Sequence, residues 1–378
     1  MAVIDKALLL KAQKLLVMSP FALGDFLYIK TFLEAVKQQY PHLQIDIWLD
    51  DDRNDKQVWR LARSHIMQQW IEAEPAFGNM WGCCDSPVQQ QRQIAQAAQQ
   101  GYDIIVTLPQ SRGKRYLSIA RKIAPAALLV AGPCQSFLAK RLGFWFYRKA
   151  NARFAPDIRL LPQDHHITDR YYQWAHGIFG IELAGSALLP SLRPDKPYLT
   201  AAQQWIAQHF PNQSGPLVFL NHLSTDHRRD WSIGQLFALI DTVNQRRQSR
   251  FILNVTGEKQ QEIQQAVSQL PTALQSQIAV FTVSGHFFEL PAMIACSDLA
   301  ISVETSIMHF AGALKVPLIA LMRQRKPYWA PPKSALSTVI YAADNGYVSD
   351  IAVQQVMDVI TQRKLLLDCC NRQQRPIQ

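Results

Sequence analysis

Long apolar runs are absent from this 378-residue chain. The longest, such as 314–322, break well before the roughly 18–20 residues that a membrane-spanning helix needs. No secretory signal is legible either: Asp5 interrupts the N-terminus and Ala7–Leu10 is too short for an apolar signal core. The chain is therefore expected to stay in the cytosol. Cysteine is scarce. Cys83, Cys84, Cys134, Cys296, Cys369 and Cys370 form neither a disulfide ladder nor a CxxC zinc framework, and reduced, structurally minor thiols are expected. Glycine (16) and proline (21) are too few for a collagen-like or low-complexity chain. GxxxxGK[ST], GxGxxG and HExxH are all missing, and the first of these absences excludes a P-loop ATPase. His165 and His166 are adjacent, so they cannot face one metal from a single helix or strand face.

What is present is a globular composition, 48% hydrophobic and 18% charged, too apolar for a disordered chain. The length suits two domains. The net charge of +10 suits nucleic acid, an anionic membrane surface or a phosphorylated ligand, and composition does not choose among them.

Strand-like and helix-like segments alternate through both halves. In the second half, strands are expected at Pro216–Asn221, Phe251–Thr256, Ile278–Val283, Leu299–Val303 and Val316–Met322. Helical spacing separates them, clearest in Ile233, Leu236, Phe237, Ile240 and Val243. In the first half, Lys14–Ser19, Ile45–Leu49, Ile104–Leu108 and Ala127–Ala131 read as strands. Phe26, Ile29, Leu33, Val36 and Tyr40 recur at helical spacing, and Asp55–Gln69 and 88–100 also read as helices. Such alternation implies parallel sheets covered on both faces. Pro190–Pro197 reads as a linker. The expected division is a Rossmann-like domain over 1–190, a second over 191–345, and a terminal helix in 346–378 that folds back on the first domain. Ligands of such sheets sit beyond the carboxyl ends of the strands, so a central cleft between two facing domains is expected.

Four segments carry candidate chemistry. Ser19–Asp25 follows a strand and opens a helix; Gly24 permits a tight turn and the close approach of a ligand, and local chemistry reads Asp25 first as a helix cap, a role that does not exclude that of a base. Glu304-Thr305-Ser306 leads into another helix, whose start either binds phosphate or is simply capped; His309 lies one turn on. Asn221–Trp231 combines Ser224 and Thr225 with Arg228 and Arg229, which suits a diphosphate or a solvated loop that Trp231 anchors. Glu258 or Glu262 could hold a ribose, although a lone Gly-Glu is better explained as a plain helix start. Two basic stretches remain, Arg112, Lys114, Arg115 and Tyr116, and the aromatic-rich Phe137–Lys149. The second suits a membrane interface, single-stranded nucleic acid or an ordinary amphipathic helix.

In these segments the chain resembles glycosyltransferase family 9, the ADP-heptose:lipopolysaccharide heptosyltransferases. The resemblance rests on Lys14–Asp25, Tyr102–Leu108, Arg112–Gly132, Arg229-Asp230-Trp231, Ala295–Leu299, Glu304–His309 and Ala311–Pro317, continuing to Pro327–Pro331. It implies a GT-B fold, two Rossmann-like doubly wound domains facing a central cleft. It also implies inverting transfer of a sugar, heptose from ADP-heptose, without a metal or other cofactor. The acceptor would be a lipid A-linked core oligosaccharide, reached at the anionic inner membrane, with no nucleic acid involved. By match, Asp25 would be the general base, supported by Gly24 and His309. Ser224, Thr225, Arg229, Thr305 and Ser306 would hold the donor diphosphate. Glu304 would touch the donor sugar, Glu258 or Glu262 the ribose, and Arg112, Lys114 and Arg115 the acceptor. Four departures gather at the donor side: Glu304 for the usual Asp, Ser306 for Gly, Arg229 for Lys, and Met322–Lys326 where Gly-Pro is usual. These leave room for another nucleotide sugar, for an epimerase, or for a basic binding module on the same fold.

Overall fold

The computed structural model describes residues 2–49, 58–108, 113–132, 137–211 and 214–366. The chain divides into two compact units, Met1–Pro190 and Ser191–Gln378.

The first unit is built on six parallel strands: β1 (Lys14–Ser19), β2 (Gln44–Leu49), β3 (Met80–Trp81), β4 (Ile104–Thr107), β5 (Leu128–Ala131) and β6 (Ala152–Arg153). Their order across the sheet is β3-β2-β1-β4-β5-β6. The central strands are apolar throughout because both faces are covered: Leu15, Leu16, Val17 and Met18 are all fully buried. The helix Leu23–Gln39 follows β1, and the helix Ile167–Phe179 packs on it.

The second unit repeats the plan with β7 (Leu217–Asn221), β8 (Arg250–Asn254), β9 (Ile278–Phe281), β10 (Leu299–Val303), β11 (Leu318–Met322) and β12 (Ser337–Tyr341), ordered β12-β11-β10-β7-β8-β9. Relative to its own first strand, this is the same doubly wound order as in the first unit. Each sheet therefore has one place where the chain's direction of winding reverses: between β1 and β4, and between β7 and β10. A crevice opens there beyond the strand ends, because the helices that follow the two strands depart to opposite faces.

Two sequence expectations are corrected. The proline-bearing stretch at 190–197 is not all linker: Asp195 precedes the helix Lys196–His209, and Pro197 sits in its first turn, where no N–H is needed. The terminal helix, Val353–Gln362, belongs to the core of the second unit rather than the first. Val356, Met357 and Ile360 pack with Trp231, Leu236 and Ile240, and the helix lies on Ile233–Arg246 and β12. Its apolar stripe closes the face of the sheet next to its own preceding strand. The indole of Trp231 donates to the Ile351 carbonyl at 2.9 Å and anchors the loop after β7.

Candidate active site

In the second unit, the reversal point is a buried polar cluster. Asn221 ends β7, and its side-chain amide lies 3.3 Å from both Ser302 Oγ and Thr305 Oγ1. Its carbonyl oxygen accepts from Asn254 Nδ2 at 3.0 Å, at the end of β8. Three strand ends are thus fastened together, and the turn after β10 is held in place. Thr305 caps the helix Ser306–Ala313, its hydroxyl accepting from Ile307 N at 3.3 Å. The first N–H groups of a helix lack intrahelical acceptors, so Ser306 opens a helix end suited to an anion.

Arg229 reaches this helix start from the loop after β7. Its Nη1 donates to the Glu304 carbonyl at 3.2 Å and its Nη2 to Thr225 Oγ1 at 3.0 Å. Its Nε is buried and, among the described residues, makes no hydrogen bond, although it is ion-paired with the Asp226 carboxylate at 4.0 Å. A guanidinium N–H that makes no hydrogen bond among the described residues, beside a helix N-terminus, is a donor suited to a charged acceptor. Ser224 is differently employed. Its hydroxyl donates to the Asp226 carbonyl at 2.8 Å and accepts from Asp226 N at 3.0 Å, so it shapes the loop.

The two outlying donor-side residues are joined. Glu304 Oε2 lies 3.3 Å from Arg323 Nε, and both side chains are mostly buried. The Glu304 carboxylate thus meets Arg323, so two of the positions at which the sequence departs from the resemblance lie together. Arg323 also comes within 3.9 Å of Asp226, which holds Arg228 through two contacts of 2.9 Å. Hydrogen bonding from Arg228 first, then its charge and that of Arg229, keeps the Asp226 carboxyl well below the ordinary range. Arg228, Arg323, Gln324, Arg325, Asp344 and Tyr347 line an adjoining pocket of about 510 Å³.

His309 is buried in the same helix, its ring 5.8 Å from that of Trp329. Glu258 is exposed in the first turn of the helix Gly257–Ser268, and Glu262 is exposed and paired with Lys259 at 2.6 Å. Both follow β8, on the carboxyl side of the sheet, but no hydrogen bond joins either to the Arg229–Thr305 group among the described residues.

In the first unit, the segment after β1 leads into the helix Leu23–Gln39 at the β1/β4 reversal point. Ser19 Oγ donates across it to the Leu108 carbonyl at 3.3 Å. Gly24 does not form the turn, as it already lies in the first turn of the helix with no positive φ. Asp25 is the third helical residue. Its Oδ2 reaches back to Ala22 N at 3.4 Å, a long contact. Its Oδ1 accepts from the Tyr171 hydroxyl at 2.9 Å. Burial, and then the Asp25 charge, push the Tyr171 phenol well above its ordinary range, so it stays protonated and donates.

Of the acceptor candidates, Arg112 lies outside the described residues. Lys114 Nζ sits 2.9 Å from the centre of the Trp145 ring, and Arg115 donates to Gln90 at 3.0 Å. Sequence reasoning missed Tyr171, Asn254, Ser302 and the role of Asn221. Of these, the two asparagines had a local signal: β7 and β8, two apolar strands, each end in asparagine.

The profile of glycosyltransferase family 9 (heptosyltransferase) matches residues 92–359, more than half of the chain. The chain belongs to glycosyltransferase family 9. Lipooligosaccharide heptosyltransferase 2 of Haemophilus ducreyi is 22% identical over 356 residues, covering 89% of this chain and 90% of that protein. The crystal structure of a family 9 glycosyltransferase from Veillonella parvula superposes with a TM-score of 0.73 at 19% identity, over 94% of this chain and 98% of the other. The E. coli ADP-heptose lipopolysaccharide heptosyltransferase II structure gives 0.71 at 18% identity, with the same coverages of 94% and 98%. The fold is GT-B, with two Rossmann-like units, and the protein is a glycosyltransferase of the heptosyltransferase family. Among the described residues, no helix is long and apolar enough to cross a membrane.

Proposed function

We propose that this family 9 enzyme transfers heptose from ADP-heptose to the inner core of a lipid A-linked oligosaccharide, with inversion and without a metal, at the cytoplasmic face of the inner membrane. The observation that carries the reading is the group in the second unit where Arg229, whose Nε makes no hydrogen bond among the described residues, reaches the Thr305-capped helix start. The names of the relatives above support the sugar and the acceptor class.

The chemistry is a single displacement. The acceptor hydroxyl oxygen attacks the anomeric carbon as the bond from that carbon to the diphosphate oxygen breaks. The hydroxyl proton passes to Asp25, and the electron pair leaves with ADP. A carboxylate is a weak base toward a resting alcohol, but the attacking hydroxyl becomes strongly acidic as its bond to carbon forms. Charge developing on the departing phosphate meets fixed donors: the Arg229 guanidinium and the helix N–H groups at Ser306. An arginine supplies at that point the positive charge that a metal ion supplies elsewhere.

A second reading differs only in the donor. The Glu304 carboxylate is engaged by Arg323, so the sugar contact assigned to Glu304 is altered, which favours a different nucleotide sugar. Thermal-shift titration with ADP-, UDP- and GDP-sugars separates the two, because a ligand of the native state raises the melting temperature. The test of the mechanism is Asp25→Ala. It should abolish transfer while leaving donor affinity intact; near-normal turnover in that variant would remove Asp25 as the base.

A further inference from the structure

The first unit carries a surface that the transfer chemistry does not use. Two short helices, Phe137–Arg141 and Gly143–Phe146, are fastened through buried Ala139 and Phe146, the latter edge-on to Tyr147 at 4.8 Å. The side chains between these anchors face solvent. Phe144 is 93% exposed and Phe137 69%, and Leu142 and Trp145 are about half exposed. Isolated exposed apolar residues are ordinary, but four large ones within nine positions mark an interaction surface.

The charge around them names the partner. Between Asp103 and Asp157 the chain has no Asp or Glu, yet ten Lys and Arg, a number equal to the net charge of the whole protein. The cations accompany the rings: Arg141 lies 5.7 Å from the Phe137 ring, and Lys114 and Arg148 lie 2.9 and 5.9 Å from that of Trp145. Lys114, Ser118, Arg148 and Lys149 also border a small pocket of about 240 Å³ beside Trp145. Aromatic rings beside exposed cations match the boundary of an anionic bilayer, where rings enter the acyl boundary and cations meet headgroup phosphates.

We propose that Phe137, Leu142, Phe144 and Trp145 form a docking surface that inserts into the headgroup region of an anionic phospholipid bilayer. The proposal deepens the reading of a lipid-linked acceptor and rests on it for its purpose, although the binding itself can be measured apart from catalysis.

The test is flotation of the full chain with vesicles of phosphatidylglycerol and phosphatidylethanolamine, against vesicles of phosphatidylcholine. The wild type should float with the anionic vesicles only, and less as salt is raised. The double variant Phe137→Ser/Phe144→Ser should bind on the order of tenfold more weakly. Both positions are exposed, so its melting temperature should match the wild type, as should its transfer to a deacylated, water-soluble acceptor. Equal vesicle binding by variant and wild type would overturn the insertion, and equal binding to phosphatidylcholine would overturn the anionic partner. A concentration-dependent dimer that the variant abolishes, without vesicle binding, would give the surface to a second copy of the chain and overturn the proposal. Vesicle binding without transfer to any acceptor would instead count against the enzymatic reading alone and leave the docking surface standing.

Discussion

The hydroxyl of Tyr171 donates to Asp25 Oδ1 at 2.9 Å, across 146 positions of sequence. The contact bears on the rotation of a carboxylate whose other oxygen reaches back to Ala22 N at 3.4 Å. Tyr171→Phe removes the donor and keeps the ring. A hydrogen bond to a charged group is worth about 1.5–3 kcal/mol, which corresponds to a fall in kcat of roughly ten- to a hundredfold. With Asp25 as the proposed base, KM for the donor should not change, because Tyr171 contacts Asp25 and lies in the other unit from Arg229 and Thr305. Steady-state kinetics checks this; a loss carried mainly by KM would mean that Tyr171 serves binding instead.

Arg229→Ala should weaken nucleotide-sugar binding. It deletes the guanidinium that ties Thr225 to the Glu304 carbonyl, together with an Nε that makes no hydrogen bond among the described residues. The expected cost is about 1.5–3 kcal/mol, measured by calorimetric titration. Arg229→Lys should recover only part of it, since an ammonium cannot bridge the loop and the helix while also meeting a phosphate. Unchanged affinity in Arg229→Ala would move the diphosphate site elsewhere.

His222 makes stability depend on pH. It is 2% exposed, its Nδ1 has no hydrogen-bond partner among the described residues, and burial pushes its pKa down to about 4 against smaller opposing pulls from Asp230 and Glu262. The folded chain therefore holds the ring neutral at pH values where the unfolded chain, titrating near 6.5, already binds a proton. Its contribution is fully present above pH 6.5 and is lost progressively as the pH falls toward 4, by about 3 kcal/mol across that window. Urea unfolding at successive pH values should show this fall in the wild type, and a shallower one in His222→Asn, which does not titrate. Parallel curves would assign the acid sensitivity to other groups.

The legible parts of the fold were those with strong local patterns. β1, β7 and β10 are nearly continuous apolar runs because they are buried on both faces, and the helix after each shows its stripe. β3 and β6 have two residues each and carry no pattern, while β12 is a half-exposed edge strand with no apolar run. The terminal helix had a readable stripe but no readable destination, since apolar spacing says that a face is covered without saying what covers it.

The site divides in the same way. Asp25, Thr305 and Arg229 stand where strands give way to helices or in the loop that follows a strand, so their positions followed from the alternation of elements. Tyr171, the Asn221–Asn254–Ser302 cluster and the Glu304–Arg323 pair join residues that are distant in the chain.

The sequence alone determined that strands and helices alternate, that the interior is apolar, and which polar residues fall at strand ends, because each is written in a few consecutive positions. Only the tertiary structure decided which strand ends lie side by side and therefore which polar groups meet. That depends on the crossover order of two parallel sheets, a long-range property that no local spacing encodes.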